Sequence, residues 1–330
     1  MSIDRRRLLG LAGTAAAALA LPAASRAQAR WPDRPVRIIV PFPAGGGTDT
    51  WARMIAEPLA AELGQPLVID NRGGGGGLIG TDVAAKAPAD GYTLLVNITT
   101  HVQAPVTQRR FPYDPIKDFA FIGRLGTTAI TFAVGPSVPA SVKTLAEFVA
   151  WGQGRELAFG NYGQGSTGHA FGALLAQETK LNVTQVAYRG EAPMIQDFLA
   201  GSFHGGFHST IVAGEMFKAG RLRPLATGGP DRVPSLADRV PTLLELGYSQ
   251  RFNFSGFTGM MAPAGVPQAV LDRVVPAFRK VVTADEFVAR LRAIDTIPGY
   301  EDPETFRASA QRTMNQWQEM AESLNLHQTG

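Results

Sequence analysis

At 330 residues, with 45% apolar and 18% charged residues, the chain has room for two globular domains and lacks the charge excess of a disordered one. It contains no cysteine, which excludes disulfides, thiolate metal sites, cysteine nucleophiles and a lipidated N-terminal cysteine. The net charge of +3 and the sequence pI of about 9.3 suggest an anionic partner only until the location of the charge is considered.

Arg5-Arg6-Arg7 precedes a mildly apolar segment, residues 8–24, and then Ala27-Gln28-Ala29, a small-residue cleavage pattern. Residues 1–29 therefore read as an export signal. Asp4-Arg5-Arg6-Arg7-Leu8-Leu9 resembles the twin-arginine motif, with an ordinary Sec signal as the alternative. The segment is too short, and too diluted with Gly, Thr and Pro, for a transmembrane helix. Four arginines and one aspartate leave with it, so 27 basic and 27 acidic residues remain and the mature chain has no net charge. Nucleic-acid binding is not expected; a soluble periplasmic protein is.

Residues 36–40, Val-Arg-Ile-Ile-Val, form a β-branched run suited to a buried parallel strand. Pro41 and Pro43 stop it, and Gly45, Gly46 and Gly47 turn the backbone sharply. Thr48 or Asp49 caps a helix over 50–63, whose apolar stripe is Ala52, Ile55, Ala56, Leu59 and Leu63. A strand, a glycine loop and a helix N-terminus make an anion receptor, because unpaired N–H groups converge with the positive end of the helix dipole. A second strand over 66–70 leads to five consecutive glycines and a short helix ending near Ala87. Gly75-Gly76-Gly77-Leu78-Ile79-Gly80 meets the dinucleotide spacing only because any glycine run does, and no acidic residue ends a strand about 20 residues on, so no nucleotide cofactor is expected. A third strand over 92–96 runs into Thr99, Thr100 and His101, polar residues where ligands meet the carboxyl ends of parallel strands. Strands follow over 119–122 and 130–134.

A helix over 144–151, with Thr144 and Glu147 as a capping box, precedes the strand of Glu156-Leu157-Ala158-Phe159-Gly160. Asn161, Gly163, Gly165, Ser166, Thr167 and His169 then open a helix to Thr179. This repeats the first device, so two helix N-termini are expected to face one cleft, each favouring a carboxylate by about 0.3–1 kcal/mol from the dipole. Further elements are a strand over 183–187, a helix over 192–200, strands over 203–207 and 222–227, and a short helix over 241–247. Residues 254–262 cross back to the first domain, and helices over 267–282, 285–294 and 303–324 close the chain.

Catalytic and metal signatures are weak. Ser166 lacks the first glycine of the nucleophile elbow, and His169 lies three residues along the same helix. His204 and His208 are separated by glycines in a strand and lack an accompanying Glu-x-x-His, so no metal is expected. Arg189 either pairs with a ligand carboxylate or forms an ion pair with Glu191 or Asp197.

These motifs, in their order, resemble the periplasmic solute receptors of tripartite tricarboxylate transporters, also called the Bug family. The resemblance runs from Trp31-Pro32-Asp33-Arg34-Pro35 and Val40-Pro41-Phe42-Pro43-Ala44-Gly45-Gly46-Gly47-Thr48-Asp49 through Asn71-Arg72 with its glycine run. It continues through Ala87-Pro88-Ala89-Asp90-Gly91-Tyr92, Tyr113-Asp114-Pro115-Ile116-Lys117-Asp118-Phe119, Gly165-Ser166-Thr167-Gly168-His169, Tyr188-Arg189-Gly190 and Ala262-Pro263-Ala264-Gly265-Val266-Pro267. It implies an α/β fold of the two-domain periplasmic binding protein type (type II, Venus flytrap). Each domain would be a mostly parallel sheet flanked by helices, joined by a two-strand hinge. Residues 30–128 with 258–330 would form one domain and 129–257 the other.

The resemblance also implies a monomeric, non-enzymatic receptor that captures a small mono- or dicarboxylate for membrane permease subunits, with no cofactor. Phe42, Ala44, Gly45, Gly46, Gly47, Thr48 and Asp49 would face Asn161, Gly165, Ser166, Thr167 and His169 across the cleft, with backbone amides and water holding the carboxylate. Family members usually carry aspartates near the positions of His204 and His208. His208 in the cleft would therefore replace a negative charge by a group titrating near neutrality, whereas His208 at the rim would change nothing. A sensory receptor without transport and a secreted hydrolase are the alternative functions.

Overall fold

The computed structural model describes residues 31–107, 111–254 and 256–326, so the expected export signal lies outside the described residues. Among those residues no helix is long and apolar enough to cross a membrane. The first lobe begins with β1 (Val36–Val40), α1 (Gly47–Leu63), β2 (Leu67–Asn71), α2 (Leu78–Ala85), β3 (Thr93–Ile98), α3 (Thr100–Thr107) and β4 (Phe119–Thr128). The second lobe holds β5 (Ile130–Val134), α4 (Leu145–Gly152), β6 (Glu156–Asn161), α5 (Thr167–Thr179), β7 (Asn182–Ala187), α6 (Glu191–Leu199), β8 (Gly205–Ser209), α7 (Thr210–Lys218) and β9 (Arg223–Gly228). The chain then returns through β10 (Thr258–Pro263), α8 (Gln268–Val282), α9 (Asp285–Ala293), β11 (Thr296–Glu301) and α10 (Pro303–Ser323).

The strand order is β11-β4-β10-β3-β1-β2 in one sheet and β7-β6-β8-β5-β9 in the other. The packing of β1 explains why four of its five residues are apolar. Val36, Ile38 and Val40 face a core closed by α1, α8 and α9, while Ile39 faces a separate layer with Ala84, Phe121 and Phe306. Helices cover both sides, so every position of β1 except Arg37 is buried.

Both sheets are mixed rather than mostly parallel. β1 runs parallel to β2 and β3, but β10 is antiparallel to both β3 and β4. β6 is parallel to β7 and β8, while β5 is antiparallel to β8 and β9. The reason lies in the crossings. β5 and β10 enter their sheets from the neighbouring lobe, at the end where the parallel strands finish, so each must run the opposite way.

Three elements were not anticipated. α3 contains Pro105, α7 opens on Thr-Ile-Val and holds Gly214, and β11 contains Pro298 and Gly299. Each therefore violates the local preference on which sequence reading relies. The helix expected over 241–247 is a run of turns.

The C-terminal helix does not stay with the first lobe, as its place in the chain suggested. Phe306 and Ala310 pack under the first sheet, but Trp317, Met320, Ala321 and Leu326 belong to the core of the second. Trp317 is fully buried and its ring meets Phe254 at 5.3 Å. Trp317→Ala should cost about 3–5 kcal/mol in denaturant unfolding, as large-to-small changes at buried aromatics do. A loss below about 1 kcal/mol would show that α10 does not stabilise the second lobe.

Candidate ligand-binding cleft

The carboxyl ends of β1 and β3 and the start of α5 meet at a cleft of about 790 Å³, including its solvent-open mouth. Its walls are largely apolar, with Phe42, Trp51, Ile98, Ile130, Phe254 and Phe257 contributing. Trp51 is fixed by donating its indole N–H to Thr296 Oγ1 at 3.0 Å.

The first glycine loop is built to leave amides unpaired. α1 starts at Gly47, three residues earlier than its apolar stripe suggested, with Gly46 as N-cap and no side-chain cap. Thr50 N–H already bonds Gly46 O at 3.0 Å, so the orphan donors are the amides of Gly47, Thr48 and Asp49, which have no partner among the described residues. Asp49 neither caps the helix nor lines the cleft. Its carboxylate folds back to accept from Gly45 N–H at 3.0 Å, Asn71 Nδ2 at 3.0 Å and Arg53 Nε at 2.9 Å. Burial alone would raise its pKa, but these donors outweigh it and the carboxyl titrates below its usual range. Asp49 therefore holds the loop's shape, and the Gly45 amide is used inside the loop. Ala44 lies on the exposed outer lip.

The second loop differs from the first. Ser166 caps α5 by accepting His169 N–H at 3.3 Å, and Tyr162 OH accepts Gly168 N–H at 3.2 Å. His169 Nδ1 takes the Gly165 amide at 3.1 Å, and Asn161 Oδ1 takes that of Gly163 at 3.2 Å. Of the first turn of α5, only the Thr167 amide is left without a partner among the described residues. The expected pair of equal anion receptors is thus one open receptor facing a self-capped helix. Asn161, Gly165, Ser166 and His169 shape the second loop behind the cleft wall, while Thr167 reaches the cleft. The Ser166 hydroxyl and the His169 ring are each bonded to backbone and not to one another, so they do not form a nucleophile–base pair.

None of His101, His169, His204 and His208 lines the cleft. His101 is fully buried, donates Nε2–H to Pro115 O at 2.8 Å and packs edge-on to Phe119 at 4.6 Å. Burial holds its pKa down to about 4. α3 begins at Thr100 and turns His101 into the core, whereas Thr99 and Thr100 line the cleft. His208 is also fully buried, stacked on Phe198 at 4.8 Å, with neither ring nitrogen bonded to a described residue. Its pKa is pushed to about 3 by burial, so it is neutral and does not titrate near neutrality. Strand alternation explains this: Ser209 faces the cleft, and its neighbour must face away. His204 Nδ1 accepts Ala158 N–H of β6 at 3.0 Å, just before β8 begins. Arg189 is exposed on a shallow outer groove with Ala44 and Asp197, outside the main cleft.

The residues the sequence missed come from both lobes and from the return crossing. Glu191 and Ser209 line the cleft together, as do Gln103, Thr127 and Thr258. Gln103 Nε2 donates across the lobes to Thr167 Oγ1 at 2.8 Å, while Gln103 Oε1 and Thr127 Oγ1 have no protein partner among the described residues. The sequence suggests Glu191 only as an ion-pair partner for Arg189; in the structure it opens α6 and faces the cleft.

Closure depends on glycines at the lips. A Cβ at Gly47 would stand 2.8 Å from Ile211 Cγ2 of the facing lobe, and Ile211 already packs against the first core. Likewise a Cβ at Gly190 would meet Pro43 Cδ at 2.9 Å, and one at Gly163 would meet Gly76 Cα at 3.0 Å. Gly47 does not have a positive φ, so Gly47→Ala tests closure without straining the loop. It should weaken ligand affinity about tenfold, with Ile211→Ala restoring most of the loss in the double variant, read by calorimetry. Unchanged affinity in Gly47→Ala would mean that the lobes do not need this approach.

Comparison with known proteins places these features in a family. The model of the tripartite tricarboxylate transporter family receptor matches residues 51–326. Protein BugT of Bordetella pertussis is 30% identical over 324 residues, 96% of each chain. Rpa4515 of R. palustris, solved with adipate, superposes with a TM-score of 0.85 at 31% identity, over 89% of this chain and 98% of that one. MatC from Rhodopseudomonas palustris, solved with bound malate, gives 0.80 at 27% identity, over 88% and 99%. The chain is a member of the tripartite tricarboxylate transporter receptor family, with the two-lobed fold of a periplasmic binding protein.

Proposed function

We propose that the protein is a periplasmic receptor that captures a small organic mono- or dicarboxylate in the cleft and delivers it to the membrane subunits of a tripartite tricarboxylate-type transporter. The observation that carries this reading is the pair of unpaired amides of Gly47 and Thr48 at the start of α1, two residues that line a cleft with large apolar side chains and no cation among its described residues. In a site that excludes water, each amide-to-carboxylate hydrogen bond is stronger than in solution, and the α1 dipole adds to it. Relatives solved with adipate and with malate support the ligand class.

The remainder of the ligand lies along Phe42, Trp51 and Phe257, with Thr48, Thr100, Gln103, Thr127 and Thr167 available for its polar groups. Residues 129–257 swing against residues 30–128 and 258–330 about the two crossings at 128–130 and 253–258, while α10 bridges the lobes. Arg189 and Ala44 lie on the outer lip, outside the cleft. Burial of the ligand between the lobes serves specificity, and reopening serves delivery.

The test is thermal shift and calorimetry of residues 30–330 against succinate, adipate, malate, benzoate, glucose and putrescine. At least one carboxylate should stabilise the protein by about 2.7 kcal/mol at a hundredfold excess over its Kd. Binding of glucose or putrescine with no response to any carboxylate would overturn the proposal.

A further inference from the structure

The cleft wall contains one carboxyl side chain among the described residues, Glu191, in a cleft whose helix terminus attracts anions. Glu191 opens α6, and both its oxygens are engaged by a single residue. Oε1 accepts Ser209 N–H at 2.5 Å and Oε2 accepts Ser209 Oγ–H at 2.6 Å. Ser209 Oγ in turn lies 3.6 Å from the point where a Cβ on Gly47 would stand, at the mouth of the unpaired amides of α1. A carboxylate seated on those amides is therefore brought close to a second carboxylate, with one serine between them.

We propose that Glu191 takes up a proton when the cleft closes on a carboxylate, and that Ser209 relays this change to the ligand. With Glu191 ionised, the Ser209 hydroxyl donates to Oε2 and offers the ligand only a lone pair. With Glu191 protonated on Oε2, the 2.6 Å bond reverses. The acid proton then donates to Ser209 Oγ, and the serine's own hydrogen turns into the cleft as a donor to the ligand. The proton comes from water, and no covalent bond changes. Glu191 and Ser209 are thus the specificity-determining pair for the carboxylate reading above, on which this inference rests.

The surroundings set the sign. Burial raises the pKa of Glu191 to about 7 in the ligand-free protein, although both bonds from Ser209 favour the charged form. The other titratable group facing it in the cleft is Tyr162, whose phenol is pushed well up, first by burial and then by the charge of Glu191, and stays neutral. On α1, Asp49 is turned away into Arg53; next to Ser209, His208 is neutral on the opposite face of β8; Arg189 points to solvent. No cation among the described cleft residues offsets a second negative charge. A bound carboxylate therefore raises the pKa of Glu191 further. Because the complex holds the proton more tightly than the free protein, affinity is full below about pH 7 and falls above it, by up to roughly tenfold per pH unit for one coupled proton.

The experiment has two arms on the full mature chain. In the first, ¹³C NMR follows the Glu191 carboxyl without ligand: titration near 7 is expected, and titration in the ordinary glutamate range overturns the proposal. In the second, calorimetry with adipate and malate is run from pH 6 to 8 in buffers of different ionisation enthalpy. Wild type should take up close to one proton at the alkaline end. Glu191→Gln, which keeps an acceptor for Ser209 N–H and a donor for Ser209 Oγ, should hold the acid-limb affinity at every pH. Ser209→Ala should bind several-fold more weakly at pH 6. A flat wild-type profile, affinity rising with pH, loss of binding in folded Glu191→Gln, or Ser209→Ala equal to wild type at pH 6 would each overturn the proposal. Failure of both acids to bind at any pH would count against the carboxylate reading itself, and the ligand-free titration would still decide the state of Glu191.

Discussion

The N-terminus of α1 is the constraint from which the other features of the cleft follow. Its three unpaired amides are useful only if the loop before them is rigid, since a flexible loop would fold back and satisfy them itself. Asp49 prevents this by tying the Gly45 amide, the Asn71 amide and the Arg53 guanidinium into one knot on the side away from the ligand. An aspartate here sets the geometry of an anion site without entering it. The site carries partial positive charge and, among the described cleft residues, no lysine or arginine side chain that would have to be desolvated when the lobes close.

A site made of amides recognises any carboxylate, so selectivity must lie elsewhere. The apolar walls fix length and shape, and the groups from the second lobe, Thr167, Ser209 and Glu191, set what the far side offers. Closure is what makes them matter. It is permitted by glycines at the lips, which allow Pro43 and Ile211 to approach facing backbone, and by the near absence of intervening chain between β4 and β5. The lobes are further joined by Gln103 to Thr167 and by Ser235 Oγ to Asp295 at 2.6 Å.

Much of this was legible in the sequence because it depends on local chemistry. The strand, glycines and helix of residues 36–63 announce an anion receptor, and the order of motifs announces the family. What was not legible depends on direction. Sequence cannot show that α3 starts at Thr100 and rotates His101 into an aromatic core, or that strand alternation buries His208 and exposes Ser209. Nor does it reveal that the second glycine loop uses its own amides, since Asn161, Ser166 and His169 look as suitable for a ligand as for capping. Glu191 enters the sequence reading only as a possible partner of Arg189, and its place in the cleft is visible only when β8 brings Ser209 against it. Mixed sheet direction follows from the crossings, which no local signal encodes.

A crystal structure of the mature protein with adipate tests directly whether backbone amides hold the ligand carboxylate. It should show one ligand carboxylate oxygen within about 2.7–3.1 Å of the Gly47 or Thr48 amide nitrogen, with Asp49 still bonded to Arg53 and Asn71. A carboxylate bound instead by Arg189, or by any charged side chain away from the start of α1, would contradict it.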